Sequence, residues 1–315
     1  MKKNVIVKSI IILASICILI FLIWIYLFPN RSNKSNENID KLISVNKLNT
    51  KTLIVSLGYD VVMAIETQKG IAVIDAGISN SLTAKYRKII EREFKRHDFA
   101  YLINTHSHWD HTGGNQVFAD AVIIAHENCV TEMSEYWKDK NKIKLNLQKI
   151  VNDYENKLKS FDPEWQDSLE IEKQIIRYQS AYNDLMTNRL VTFPTITFKD
   201  TMNLFMSDLS FHMIYFGRAH SGSDILIYVP ELELLMTGDL FSEGGRAAFD
   251  VLEKKDIKQW MTAKKWIEKR KDNIETVVNG HGSILGKNDL AAFVKYINEM
   301  GTESKRVSST GNVKM

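Results

Sequence analysis

Apolar positions along the chain fall into short runs separated by turn residues. Thr52–Gly58 and Val61–Thr67 read as strands joined across Gly58-Tyr59-Asp60, and Gly70–Asp75 reads as a third. Leu82, Tyr86, Ile89, Ile90 and Phe94 recur at three- and four-residue steps, which predicts an amphipathic helix over about 80–96. Tyr101-Leu102-Ile103 and Ala121–Ala125 are two further strands. Between 130 and 190 the rhythm changes. Ile143, Leu147, Ile150, Val151, Tyr154, Leu158 and Phe161 step helically, as do Leu169, Ile175, Ile176, Tyr182 and Leu185 more loosely. These runs predict two long helices parted by Asp162-Pro163, a hairpin inserted into the surrounding fold with its apolar stripe as packing surface. A lid or a dimer contact are the alternatives for that stripe. Strand spacing returns at Met202–Met206, Ser210–Phe216, Asp224–Val229 and Leu232–Met236. A helix at about 255–270, a strand at Thr276–Asn279 and a helix at about 287–299 complete the pattern. Periodicity alone allows α/β or α+β and no more.

The N-terminal end is a different material. From Ser9 to Phe28 the chain is apolar and uncharged, and twenty residues at about 1.5 Å each span about 30 Å, one hydrocarbon core. A cleaved signal peptide has a shorter apolar stretch and a small-residue cleavage site, and Ile16 is too bulky to precede a lipid-modified Cys17. Lys2, Lys3 and Lys8 in front outweigh Arg31 and Lys34 behind, so a single-pass anchor with its N-terminus in the cytoplasm is expected. The chain then divides into a cytoplasmic stub at 1–8, a transmembrane anchor at 9–28 and a flexible Asn/Ser/Lys-rich tether at 29–50. One domain at 51–300 and a disordered tail at 301–315 follow. The domain would lie outside the cytoplasm, periplasmic or at the cell surface.

Charge changes the picture once it is divided. Residues 1–50 carry seven Lys or Arg against Glu37 and Asp40, so the net +3 of the chain is +5 there and −2 beyond. A slightly acidic domain lacks the basic face that a nucleic-acid backbone requires, so no nucleic-acid partner is expected. Cys17 and Cys129 are the only cysteines, one of them inside the apolar segment, so no internal disulfide is expected and the domain rests on its core.

The chemistry concentrates in Asn104-Thr105-His106-Ser107-His108-Trp109-Asp110-His111-Thr112-Gly113-Gly114, directly after an apolar run. His106 and His108 are two apart and point to one side of an extended segment. A turn through Trp109 can bring Asp110 and His111 to a second point nearby, with Gly113 and Gly114 allowing a sharp bend. Imidazole with carboxylate suits zinc, and also iron or manganese, better than calcium or magnesium. The other histidines read differently. His97 lies among charges and is solvated, His126 ends a strand and His212 sits within one, both as structural residues.

This motif resembles the signature of the metallo-β-lactamase superfamily, and further matches follow in the family's order. They are Asp75 in Val73-Ile74-Asp75-Ala76-Gly77, His220 before Ser221-Gly222, Asp239 after Thr237-Gly238, and His281 between Gly280 and Gly282, so that the resemblance spans about 52–300. It implies a four-layer αββα sandwich. It also implies that His106, His108 and His220 hold one metal, that Asp110, His111 and His281 hold a second, that Asp239 bridges them, and that Asp75 steadies the histidine loop from behind. Two zinc ions would share a hydroxide that attacks a carbonyl carbon, with Asp110 orienting it or passing its proton to the leaving group. The implied reaction is hydrolysis of a small-molecule ester, thioester, lactone or amide, β-lactams included. The absence of cysteine after Cys129 departs from β-lactamases with a cysteine ligand, and Asp239 moves the pattern towards glyoxalase-II-like and lactonase-like enzymes. Leu240–Lys254 nevertheless lacks the tyrosine of some lactonases, and no separate helical domain follows His281. An iron-dependent redox enzyme on the same fold and a metal-binding protein without catalysis are the alternatives.

Overall fold

The computed structural model describes residues 39–161, 167–187, 190–242, 246–247 and 254–310. Residues 1–43 and 44–315 separate into two units. The expected anchor at 9–28 and the stub before it lie outside the described residues, as does the Asp162-Pro163 break. Among the described residues no helix is long and apolar enough to cross a membrane.

In the second unit the chain builds β1 (Ser44–Lys47), β2 (Thr52–Leu57), β3 (Asp60–Thr67), β4 (Gly70–Ile74), α1 (Asn80–Phe94), β5 (Phe99–Ile103) and β6 (Val122–His126). Three helices follow, α2 (Glu127–Trp137), α3 (Lys140–Lys159) and α4 (Ser168–Met186), and then β7 (Ile196–Phe198) closes a seven-stranded sheet in sequence order. The first four strands form an antiparallel meander, and β4 through β7 run parallel. The second sheet, ordered β15-β14-β11-β10-β9-β8, takes β8 (Thr201–Phe205), β9 (Ser210–Tyr215), β10 (Ile225–Val229), β11 (Leu234–Met236), β14 (Thr276–Val278) and β15 (Ile284–Leu285). A short ribbon of β12 (Phe241–Ser242) and β13 (Arg246–Ala247) stands apart, and α5 (Lys254–Glu268) and α6 (Lys287–Thr310) complete the chain.

Both sheets are covered on both faces, which is why their strands read as continuous apolar runs. Along β10, Ile225, Ile227 and Val229 pack inward with Ile54, Met63, Ile74 and Ile103 of the facing sheet. The alternate residues Leu226 and Tyr228 pack outward under Trp260, Ile267 and Phe293 of α5 and α6. On the other side α1 lays Leu82, Tyr86 and Ile90 towards β2 and β3. The layers are therefore helix, sheet, sheet, helix.

Four expectations change. The tether drawn to residue 50 ends earlier, because Ser44–Lys47 pairs antiparallel with Leu53–Ser56. All four of its residues are exposed, so no alternation marks it in the sequence. The inserted segment holds three helices, and the additional one, α2, buries only Cys129, Met133 and Trp137. The tail expected from residue 301 instead continues α6 to Thr310, since no proline interrupts the helix. Short β7 and β15 pair at the sheet margins, where three and two residues are too few for a period to show.

Candidate metal centre

Strand direction explains why the polar residues meet. Parallel β4, β5 and β6 release the chain at one edge, at Asp75, Asn104 and His126, and parallel β11 and β14 release it at Gly238-Asp239 and Asn279-Gly280-His281. The Ile225 amide donates to the Thr105 carbonyl at 3.0 Å and that of Gly280 to the Gly238 carbonyl at 2.7 Å, tying these loops together. Gly113 and Gly114 serve closeness more than bending, since a Cβ on either would stand 2.2 Å from the carbonyl oxygen of Ile78 or Ala76.

All seven expected ligands come together. His106, His108 and His220 form one group, His106, His111 and Asp239 a second, and Asp110, His111 and His281 a third, each with ligand atoms within 4.8 Å of one another. Asp239 stands at the centre, its Oδ2 3.1 Å from His281 Nε2, 3.6 Å from His220 Nε2 and 3.9 Å from His106 Nε2. Its Oδ1 lies 3.3 Å from His111 Nε2, without the geometry of a hydrogen bond.

The rear of three of the five rings is held. Asp75, in a left-handed backbone conformation at φ 56°, accepts from the Thr105 amide and hydroxyl at 2.7 Å each and from His111 Nδ1 at 2.9 Å. Because the Thr105 hydroxyl gives its proton to Asp75, its oxygen accepts from His106 Nδ1 at 3.1 Å. His281 Nδ1 donates to the Tyr59 carbonyl at 2.8 Å. These bonds turn three Nε2 atoms forward with their lone pairs exposed to the site. His106 Nε2, His111 Nε2 and Asp239 Oδ1 are buried there without a hydrogen-bond partner.

Electrostatics follow from this crowding. Burial, then the neighbouring His111, holds His106 well below the usual imidazole range. Burial alone would raise the Asp239 carboxyl, but the neighbouring His111 outweighs it and holds it well below its ordinary value. Asp110 follows the same balance, with His111 and Arg177 overcoming burial to keep its carboxyl low. The donor set of imidazoles and carboxylates fits zinc, iron or manganese.

Three residues that matter here escaped the sequence reading. Arg177 of α4, buried, donates from Nη2 to Asp110 Oδ2 at 2.7 Å. Glu132 of α2 accepts from the Ser107 and Ser223 hydroxyls at 2.6 and 2.7 Å and from the Gly222 amide at 2.7 Å, joining the loops that carry His108 and His220. Asp60, fully buried, accepts from the Ile78 amide at 2.7 Å and the Tyr86 hydroxyl at 2.8 Å. Arg177 lies on the buried face of α4 with Gln174 and Ala181, a face that is not the apolar stripe of that helix and so left no signal in the sequence. His126 is structural: its Nδ1 caps α2 through the Asn128 amide and its Nε2 donates to the Lys199 carbonyl. His212 contacts the Ser210 hydroxyl within β9, and His97 is exposed beside Glu91. A groove of about 500 Å³ opens beside His108 and His220, walled by Trp109, Asp110, Glu135 and Tyr136.

A family model described as the metallo-beta-lactamase superfamily matches residues 57–281. A metallo-beta-lactamase type 2 from Bacillus cereus is 22% identical over 260 residues, 80% of this chain and 81% of its own. A metallo-beta-lactamase from Pseudomonas aeruginosa, solved in a mono-zinc form, superposes with a TM-score of 0.53 at 11% identity over 82% of this chain and 96% of that one. A stereoselective inverting sec-alkylsulfatase from Pseudomonas sp. gives a TM-score of 0.53 at 15% identity, over 84% of this chain and 42% of that one. The two structural likenesses are of fold alone.

Proposed function

Because this chain belongs to the metallo-β-lactamase superfamily, we propose that it is a zinc-dependent hydrolase of a carbonyl substrate: an ester, thioester, lactone or amide. The observation that carries the reading is the convergence of His106 Nε2, His111 Nε2 and Asp239 Oδ1, three buried ligand atoms without hydrogen-bond partners at the meeting point of three ligand groups. Leaving such atoms unsatisfied costs about 1–3 kcal/mol each, a cost that coordination removes. His106, His108 and His220 would hold one ion, Asp110, His111 and His281 a second, and Asp239 would face both. Zinc bound there supplies a Lewis acid and lowers the pKa of a coordinated water towards about 7.

The remaining work belongs to the chain. The groove beside His108 and His220 receives the substrate, and Trp109 with Tyr136, their rings 6.0 Å apart and 17° from parallel, offers it a flat apolar wall. Asp110 opens onto that groove as a carboxylate, because His111 and Arg177 outweigh its burial. It can accept the proton of the attacking water and return it to the leaving group. The β-lactam amide belongs among the substrates to try because a relative bears that name. None of the ligand groups includes Cys129, which is buried on α2 against Met133. Residues 9–28 would anchor the enzyme with its domain outside the cytoplasm, and a reporter fused at the C-terminus should then be active only there.

The test is hydrolysis of a panel of such substrates by zinc-loaded protein and by Asp110→Asn. The variant should keep much of its metal and lose about 10²–10⁴-fold in rate. Full activity in zinc-replete Asp110→Asn would remove this carboxylate from the mechanism.

A further inference from the structure

The inserted helices reach the outer ligands of the second ion position by two routes. Arg177 Nη2 of α4 holds Asp110 Oδ2 at 2.7 Å, and the same oxygen faces His111 Nε2 at 4.0 Å, across the place an ion would occupy. One and two turns earlier, Gln174 and Glu170 pack on Gly58, where a Cβ would stand 2.8 Å from Gln174 Nε2 and 2.6 Å from Glu170 Oε1. Gly58 has φ +57°, and the next residue, Tyr59, holds His281 Nδ1 through its carbonyl. The Arg177 side chain is 4% exposed, so water screens its charge poorly, and its Nε is buried without a partner. Apart from Asp239, which faces both positions, the first offers three imidazoles and no carboxylate for a guanidinium to hold.

We propose that the inserted hairpin makes the second ion position the weaker and later filled of the two, with Arg177 as the positioning residue that competes with the ion for Asp110 Oδ2. The inference rests on the two-ion reading above. A dication at the second position that approaches Asp110 through the oxygen facing His111 shares that oxygen with a buried cation and sits close to it. The hairpin is then more than packing surface: it sets the zinc concentration at which the site becomes complete.

Zinc titration of the full-length chain against a chromophoric chelator tests this, comparing the native protein with R177Q and R177K. The native chain should bind one zinc tightly and a second more weakly. R177Q, which removes the charge, should tighten the second by roughly tenfold or more without changing the first. R177K, which keeps the charge, should leave the second within a few-fold of native. A purely structural role for Arg177 predicts otherwise, with both variants weakening the second ion alike, and that result would overturn the proposal. Should R177Q not fold, the order of filling in the otherwise native chain decides: H220A must remove the tight ion and H281A the weak one, and the reverse order refutes the inference. A native chain with one zinc whose R177Q variant gains no second ion refutes it alone. A native chain that takes up no zinc overturns the metal reading and this inference together.

Discussion

Replacing Asp75 by asparagine should cripple the metal centre without touching a single ligand. Asp75 accepts three hydrogen bonds, from the Thr105 amide and hydroxyl and from His111 Nδ1, at 2.7, 2.7 and 2.9 Å. Asparagine tolerates the left-handed backbone that φ 56° requires, so the fold at the strand end is preserved. Its amide, however, has only one acceptor atom. If that oxygen keeps the Thr105 amide, the NH2 faces the Thr105 hydroxyl and His111 Nδ1, both of which need an acceptor. Satisfying the NH2 would drive His111 into the tautomer with its proton on Nε2, the atom that must face the ion. The lost charge-assisted bond is worth about 1.5–3 kcal/mol. Groups that orient metal ligands typically contribute 10–100-fold in affinity, roughly 1.4–2.7 kcal/mol, so two independent estimates agree. Zinc competition against a chelator should show that loss in Asp75→Asn, with urea unfolding confirming that the domain remains folded. Native zinc affinity for both ions in a folded Asp75→Asn would refute the argument that the rear bonds of His111 and His106 prepare the site.

Two further outcomes follow from the loops behind the ligands. Glu132→Gln replaces a carboxylate that takes three hydrogen bonds from Ser107, Gly222 and Ser223, and should lower stability by about 1–3 kcal/mol, read as a lower denaturation midpoint with an unchanged slope; an unchanged midpoint would show that these loops are held elsewhere. Burial, offset in part by the Ser221 amide, pushes Asp224 up to about 6 from an ordinary 3.8. The folded state therefore holds this proton more tightly than the unfolded one, and the stability that Asp224 contributes is full below about pH 3.8 and lost as pH rises through about 6. Relative to Asp224→Asn, the native chain should gain up to about 3 kcal/mol between neutral pH and pH 4. Parallel stability profiles for the two proteins across that range would contradict it.

How much of this was legible in the chain depends on sequence distance. Asp75, His106, His108, Asp110 and His111 lie close to strand ends, and the dense histidine motif announces itself. His220, Asp239 and His281 became legible only because the resemblance supplied an order in which to look. Strands buried on both faces declared themselves as apolar runs, whereas β1 has four exposed residues and left no trace. Arg177 lies 67 positions from the carboxylate it grips, and Glu132 lies 90 from the Gly222 amide it accepts from. Nothing local distinguishes either from a solvated charge on an amphipathic helix, since their partners arrive only when the insertion folds against the sheet edge. The groove wall of Trp109 and Tyr136 has the same origin, two rings brought together by the packing of α2.

The central claim is that Asp239 and the six side chains around it form a two-zinc hydrolytic centre. Metal analysis of the purified full-length chain, with hydrolysis followed in the same preparation, tests it most directly. The account predicts close to two zinc ions per chain at saturation, activity lost on chelation and activity restored by zinc. One tightly bound iron, no zinc and no zinc-restored hydrolysis would contradict it.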